Sequence, residues 1–344
     1  MDRFVLHVDL DQFIAAVEVL RRPDLRDVPV VVGGDGDPTK RGVVSTASYE
    51  ARRFGIRSGM PLRTAARRCP EAVFLPVDAE AYHEASGVVM RTLRTFPAVV
   101  EVAGWDEAYL DVEAEDPEAL AAEIQRAVLD ATGLSCSVGI GDNKLRAKIA
   151  SDMRKPGGVF RLTRSNWRTV MEGRPTEALW GIGRKTAGRL AEAGLRTVGD
   201  LARADAEALA AAFGPNTGPW LRSLAEGEST WKVSSDPHVA KGRGKERTYQ
   251  QDIAHREGVV REIGRLSREL ADEIGADGRP VARVVVKVRF APFFTHTHGV
   301  SLARPTADPQ AIERGAISAL DRFELDRPVR LLGVRVEFAA EPGR

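Results

Sequence analysis

Apolar and polar positions alternate with two periods along this chain, and the changes between them mark out its elements. Phe4 to Leu10 (FVLHVDL) is β-rich and reads as a buried strand ending at Asp9 and Asp11, where the helix-like run QFIAAVEVL begins. Val30 to Gly34 (VVVGG) opens a segment rich in Gly, Asp and Arg that runs to about Pro76, with helical turns around SYEARRFG and LRTAARRC; it reads as a small insertion. An amphipathic helix follows over Ala81 to Thr95, then the strand VVEVAG, a tight turn at Gly104 and Trp105, and the strand DEAYLDV. Pro117 to Ala131 sets Leu120, Ile124 and Val128 on one helical stripe, and Leu134 to Ile140 (LSCSVGI) supplies a fourth strand. Without the insertion the order is β-α-β-β-α-β, the ferredoxin-like split βαβ arrangement.

Further along, Gly181-Ile182-Gly183 separates two short helical patterns, and from Lys232 to Gly244 the apolar rhythm fades into a linker of Ser, Pro, Gly and Lys. Beyond it, RTYQQ, a helix over Glu257 to Ile274, the strands VARVVVKVRF and FFTHTHGVSL, a helix over Pro309 to Leu320 and the strand LLGVRVEF repeat the same order. His296 and His298 alternate on one of these strands, a spacing open to a metal pair but read here as two solvated histidines.

A length of 344 residues implies two to four domains, and 43% hydrophobic with 29% charged residues excludes disorder, collagen-like repeats and coiled coil. No apolar run approaches a membrane span, and the first residues carry charges where a signal peptide needs an apolar core, so the expected location is the cytoplasm. Cys69 and Cys136, far apart, indicate neither a disulfide framework nor a thiolate zinc site. The net charge of +1 conceals a reversal. Met1 to Asn143 holds 15 basic and 24 acidic residues, whereas Lys144 to Leu190 holds 12 basic and 3 acidic. An acidic segment beside a cationic one suits a protein that holds a cation in one part and a polyanion in another.

A ferredoxin-like sheet brings the end of its first strand beside the hairpin joining its second and third, so Asp9 is expected to face Asp106 and Glu107. Three converging carboxylates repel one another unless a divalent cation holds them, and oxygen ligands favour magnesium or manganese. Two such ions suit in-line phosphoryl transfer, here nucleotidyl transfer. The same spacing also fits a helix cap at Asp9 and a decorated turn at Asp106 and Glu107.

The motifs HVDLDQF, STASYEARRFGIRSGMPL, DEAYLDV, SCSVGIGDNKLRAKIASDMRKPGG, LWGIGRKTAGRL and RPVRLLGVRV, in that order over essentially the whole chain, closely resemble the Y-family DNA polymerases of the DinB branch. The resemblance implies an α+β multidomain right-hand polymerase. Its parts would be a ferredoxin-like palm (residues 1–11 and 77–166), small fingers (12–76), a helical thumb with a helix-hairpin-helix (167–231), a linker (232–244) and a βαββαβ little finger (245–344). It implies translesion synthesis without proofreading on primer-template DNA by a monomer. Asp9, Asp106 and Glu107, with the Leu10 carbonyl, would hold two Mg2+ or Mn2+ ions. Thr46, Tyr49, Arg52 and Lys155, joined by backbone amides from Asp11 to Ile14, would hold the triphosphate of a dNTP.

Two departures from the family pattern stand out. Phe13 keeps the floor of the sugar pocket, but Ile14 stands where relatives carry an aromatic ring against the 2′-hydroxyl, so ribonucleotides (rNTP) are expected to be admitted. Gly104 and Trp105 replace a usual Ser and aliphatic residue, leaving open whether Trp105 packs under the sheet or alters the primer surface. Lys144 and Lys148, on a helix capped at Asp142, are expected to point at one phosphate groove. Gly181 and Gly183, with Arg184, Lys185 and Arg189, would bind DNA phosphates, and Arg247, Arg283, Lys287 and Arg289 are candidates on the tail sheet. The terminal Glu341-Pro342-Gly343-Arg344 lacks the peptide by which many relatives dock on the sliding clamp, so that contact is expected to be weak or absent. Other classes compatible with parts of this reading are a catalytically silent DNA-binding scaffold, which should have lost carboxylates or triphosphate ligands, and a palm-type nucleotide cyclase, which has no use for the hairpin-helix and tail.

Overall fold

The structure, a computed structural model, describes residues 2–237, 239–275 and 278–340; the terminal segment read for clamp docking lies outside them. The chain forms two compact units, residues 1–38 with 42–236 and residues 39–41 with 237–344. None of the described helices is long and apolar enough to cross a membrane.

In the first unit, β1 (Asp2–Leu10) leads into α1 (Phe13–Arg21), and the insertion contributes β2 (Val30–Val32), β3 (Thr46–Ala47), α2 (Tyr49–Arg53), α3 (Leu62–Arg68) and β4 (Val73–Leu75). Then come α4 (Ala79–Leu93), β5 (Val99–Val102), β6 (Glu107–Ala114), α5 (Pro117–Thr132), β7 (Cys136–Gly141), α6 (Lys144–Ser151) and β8 (Val159–Leu162). The main sheet runs β5-β6-β1-β7-β8. Its first four strands are those read from the alternation, in ferredoxin-like order; β8, which pairs parallel with β7, adds an edge that the sequence reading lacked. Leu6, Val8 and Leu10 of β1 enter one core with Tyr82, Leu93, Ile124 and Val128 of the α4 and α5 layer, while His7 and Asp9, one residue out of step, face α6. Asp116 caps α5 through the Ala119 amide, Pro117 opens it, and Gly133 closes it at φ 70°.

The insertion's sheet is β3-β2-β4. Its valines are buried on both faces, Val30 and Val32 in the main core and Val31 in a smaller one with Ala51, Ile56 and Leu62. After β8, helices α7 (Arg164–Met171), α8 (Arg184–Glu192), α9 (Val198–Arg203), α10 (Ala206–Phe213) and α11 (Thr217–Ala225) surround Trp167, Met171, Leu190, Leu201 and Leu221.

The second unit contains β9 (Gly242–Ile253), α12 (Arg256–Gly275), β10 (Val281–Phe290), β11 (Phe294–Thr306), α13 (Pro309–Leu320) and β12 (Val329–Phe338). The β9 strand begins inside the segment read as linker. The element order repeats that of the main sheet, but the strand order is β11-β10-β12-β9, so the ferredoxin-like pairing does not recur. Composition explains the difference. β10 buries Val284, Val286, Val288 and Phe290 and takes an inner place, whereas β9 (GRGKERTYQQDI) is charged and polar and suits an edge. His296 and His298 lie against the rings of Phe290 and Phe323.

Candidate active site

Register assembles the acidic cluster. β1 and β6 run antiparallel with Asp9 opposite Glu107, and the Leu10 amide donates to the Asp106 carbonyl at 2.9 Å. The turn before β6 is closed by the Ala103 and Gly104 amides, which share the Glu107 carbonyl. A Cβ at Gly104 would lie 3.3 Å from Glu107 Cγ and 3.5 Å from Asp106 Oδ1, so glycine leaves room for both side chains. Trp105 packs outside, 41% exposed, with its ring 4.3 Å from that of His83 on α4. It does not pack under the sheet.

Two lysines answer these carboxylates. Lys148 donates to Glu107 and, at 3.3 Å, to Asp9; Lys155 donates to Asp9 Oδ1 at 2.7 Å and pairs with Asp152 at 2.9 Å. Burial alone would lower both ammonium groups, but the carboxylates outweigh it and raise them. Burial, then Asp9 and Glu107, push the Asp106 carboxyl up. Contact with His7, then with Lys148, holds Glu107 down at about 2 against its own burial. Among the described residues, the donor atoms of His7, Asp9 and Glu107 lie within 4.8 Å of one another, close enough to share a metal ion. His7 Nδ1 is bonded to Ser151 Oγ at 2.9 Å, and its buried Nε2 lies 3.4 Å from Glu107 Oε2. Sequence reasoning missed His7, although its two-residue step from Asp9 along β1 was a usable signal.

The residues expected around the triphosphate fall into two groups. Tyr49 and Arg52 share a face of α2, the guanidinium 4.9 Å from the ring centre, and Lys155 reaches the acidic cluster. Tyr49 also donates to Asp11, whose own amide donates to the Ser135 carbonyl; of the amides from Asp11 to Ile14, that one is already engaged. Thr46 lies on β3 opposite Val32, Phe13 is buried in the main core, and Ile14 packs against that core partly exposed.

One expected cap needs correction, and several of the residues expected to contact DNA have partners within the chain. Asp142 does not cap α6: Asn143 does, accepting from the Arg146 amide, while Asp142 pairs with the Arg146 side chain. Lys144 pairs with Glu101, and Lys148 reaches the acidic cluster. Arg189 donates to the Ala212 carbonyl and stacks on Phe213, whereas Arg184 and Lys185 are exposed at the start of α8, after Gly181 (φ 99°) and Gly183. Arg247 lies opposite the buried Leu332 and pairs with Glu269 of α12, so it belongs to the covered face of its sheet. Arg283, Lys287 and Arg289 occupy the open face, where Arg283 pairs with Glu337, Lys287 with Glu246, and Arg289 donates to Thr295. A trough of about 660 Å³ on that face is floored by Gly244, Gly299 and Gly333.

Residues 8–152 match the impB/mucB/samB family and residues 240–343 the impB/mucB/samB family C-terminal domain. DNA polymerase IV 2 of Mycobacterium tuberculosis is 51% identical over 341 residues, covering 98% of each chain. The chain belongs to the Y-family DNA polymerases, in the DNA polymerase IV branch. Among other relatives of the polymerase, DNA polymerase IV of Methanoculleus marisnigri is 41% identical over 97% of this chain and 94% of its own. The polymerase matches a structure of a chimaera of the Y-family enzymes Dbh and Dpo4 with a TM-score of 0.86, and one of DinB from Sulfolobus solfataricus with 0.66; each is 26% identical over 97% of this chain and 98% of its own.

Proposed function

We propose that this polymerase extends a primer along a DNA template past damaged bases, joining each nucleotide to the primer 3′-hydroxyl with release of pyrophosphate and without proofreading. The observation that carries this reading is the convergence of Asp9, Asp106 and Glu107 at one end of the main sheet, with Lys155 reaching Asp9 and Tyr49 joined to the neighbouring Asp11. The donor set fits divalent cations: three carboxylates gather there, already drawing two ammonium groups. Asp9, Asp106 and Glu107, with the Leu10 carbonyl, would hold Mg2+ or Mn2+. Bound there, two such ions neutralise the triphosphate and favour the alkoxide form of the attacking hydroxyl. Glu107, held at about 2, stays ionised through the working range. Thr46, Tyr49 and Arg52 grip the phosphates, and Lys155 exchanges Asp9 for a phosphate oxygen as a point charge.

In this reading the main sheet with α4 to α6 is the palm, residues 12–76 the fingers, 167–231 the thumb and the second unit's sheet the little finger. Gly181, Gly183, Arg184 and Lys185 take one stretch of DNA backbone, and Arg283, Lys287 and Arg289 another. The enzyme acts in the cytoplasm as a monomer. Ile14, an aliphatic group beside the buried Phe13, leaves the ribose 2′-hydroxyl unopposed, so the polymerase accepts ribonucleotides.

Primer extension opposite template G tests both parts. Asp106→Asn is expected to lower dCTP addition by about a thousandfold or more. The native enzyme should use rCTP readily, and Ile14→Tyr should sharpen discrimination on the order of a hundredfold. Undiminished synthesis by Asp106→Asn overturns the mechanism; strong rejection of rCTP, unchanged in Ile14→Tyr, overturns the gate.

A further inference from the structure

Asp11 is 2% exposed, and none of its described partners is a cation. Four hydrogen bonds satisfy it instead. Oδ1 accepts from Ser137 Oγ at 2.8 Å and from the Tyr49 hydroxyl at 3.2 Å; Oδ2 accepts from the Gly157 amide at 2.8 Å and from Ser135 Oγ at 3.0 Å. A buried carboxylate without a counter-ion persists only when donors surround it this fully. The donors come from three separate stretches of chain, and two of those carry triphosphate contacts: Tyr49 itself, and Lys155, two residues before Gly157.

Gln12 adds an independent sign. Its backbone is left-handed, at φ 43° and ψ 38°, a region that glycine tolerates and glutamine enters only at a cost. In that conformation Gln12 Oε1 accepts the Tyr49 amide at 2.5 Å. Tyr49 is the first residue of α2, so this amide has no partner within its own helix. Strain that persists beside a site and aims a side chain into it points to function. Tyr49 is thus fixed at its amide and its hydroxyl by consecutive residues. Its ring lies under Arg52, and burial together with Asp11 pushes the phenol up to about 12, so it remains a proton donor.

We propose that Asp11 and Gln12 are positioning residues: together they clasp Tyr49, and Asp11 also anchors the loop that carries Lys155, so the triphosphate meets hydroxyl and ammonium donors already in place. Such pre-organisation strengthens binding by removing an ordering cost, without a new contact to the nucleotide. The inference rests on the reading of Tyr49 and Lys155 as triphosphate contacts.

Single-turnover dCTP incorporation, which separates nucleotide affinity from maximal rate, tests it alongside thermal melting. Tyr49→Phe serves as the reference and should weaken dCTP. Gln12→Gly should weaken dCTP about five- to tenfold while the maximal rate stays within about twofold. Its melting temperature should hold or rise, because glycine relieves the backbone; a merely structural glutamine would not separate affinity from stability in this way. Asp11→Asn can keep its carbonyl on the Gly157 N–H only by turning its NH2 group towards the Ser137 and Tyr49 hydroxyls, which removes the acceptor that holds the Tyr49 hydroxyl, and should weaken dCTP about tenfold or more. That loss should shrink in the Tyr49→Phe background, since the two act through one contact. If Tyr49→Phe weakens dCTP while Gln12→Gly and a folded Asp11→Asn bind it like the native enzyme, the clasp is refuted and the phosphate contact stands. If Tyr49→Phe also binds like the native enzyme, the phosphate contact falls and the clasp with it. Should Asp11→Asn fail to fold, Gln12→Gly decides.

Discussion

His7, fully buried beside Glu107, shows what a single ring costs this site in acid. Burial lowers its pKa below the ordinary 6.5, so the folded protein keeps it neutral where the unfolded chain takes up a proton. The unfolded state therefore binds more protons below pH 6.5, and stability falls as pH drops through that value until the folded-state pKa is reached. Urea denaturation of the metal-free protein between pH 7.5 and 5 should show this as a slope approaching about 1.4 kcal/mol per pH unit, reduced in His7→Gln. The carboxylates Asp9, Asp106 and Glu107 were legible in the sequence because alternation and hairpin order determine where they meet. The donors to Asp11 were not, since Ser135, Ser137 and Gly157 lie more than a hundred residues away and only folding reveals them. The face that Arg247 occupies was not legible either, for a related reason. The face its side chain takes is set by register with β12, which its own stretch of sequence does not contain.

Helix α6 carries Lys148 to the acidic cluster, and β7 permits its approach. A Cβ at Gly139 would lie 2.0 Å from the Ala147 carbonyl oxygen and 2.3 Å from the Ser151 amide. Gly139→Ala must therefore push α6 away from the sheet, which should destabilise the protein by about 1–3 kcal/mol in urea titration. Polymerase activity should fall with it, because Lys148 and Ser151 move with the helix. Periodicity recovered the helices that flank the main sheet and those of the second unit to within a few residues, Pro309–Leu320 among them, but did not resolve α7, α9, α10 and α11 or the short strands β3 and β4. It failed where chemistry competes over short distances. Asp142 and Asn143 are both good cap residues, and the choice fell to Asn143 because Asp142 is occupied by Arg146 and the Arg164 amide. The four residues of β8 alternate too briefly to announce a strand, and the second sheet's pairing depends on which strand is apolar enough to sit inside.

At the scale of the whole molecule, the charge reversal has two uses. Part of the cationic segment neutralises the acidic one, with Lys144 on Glu101, Lys148 on Asp9 and Glu107, and Lys155 on Asp9. The second, expected use falls to exposed cations elsewhere, on the Arg184 helix and on the open face of the second sheet, where Arg283 and Lys287 would exchange Glu337 and Glu246 for DNA phosphate. Fluorescence anisotropy with two unrelated primer-template sequences should give similar affinities that weaken at least about a hundredfold between 50 and 200 mM salt, despite a net charge of only +1. Because the chain brings its own counter-ions to Asp9 and Glu107, part of the mutual repulsion at the crowded end of its sheet is offset from within the chain itself.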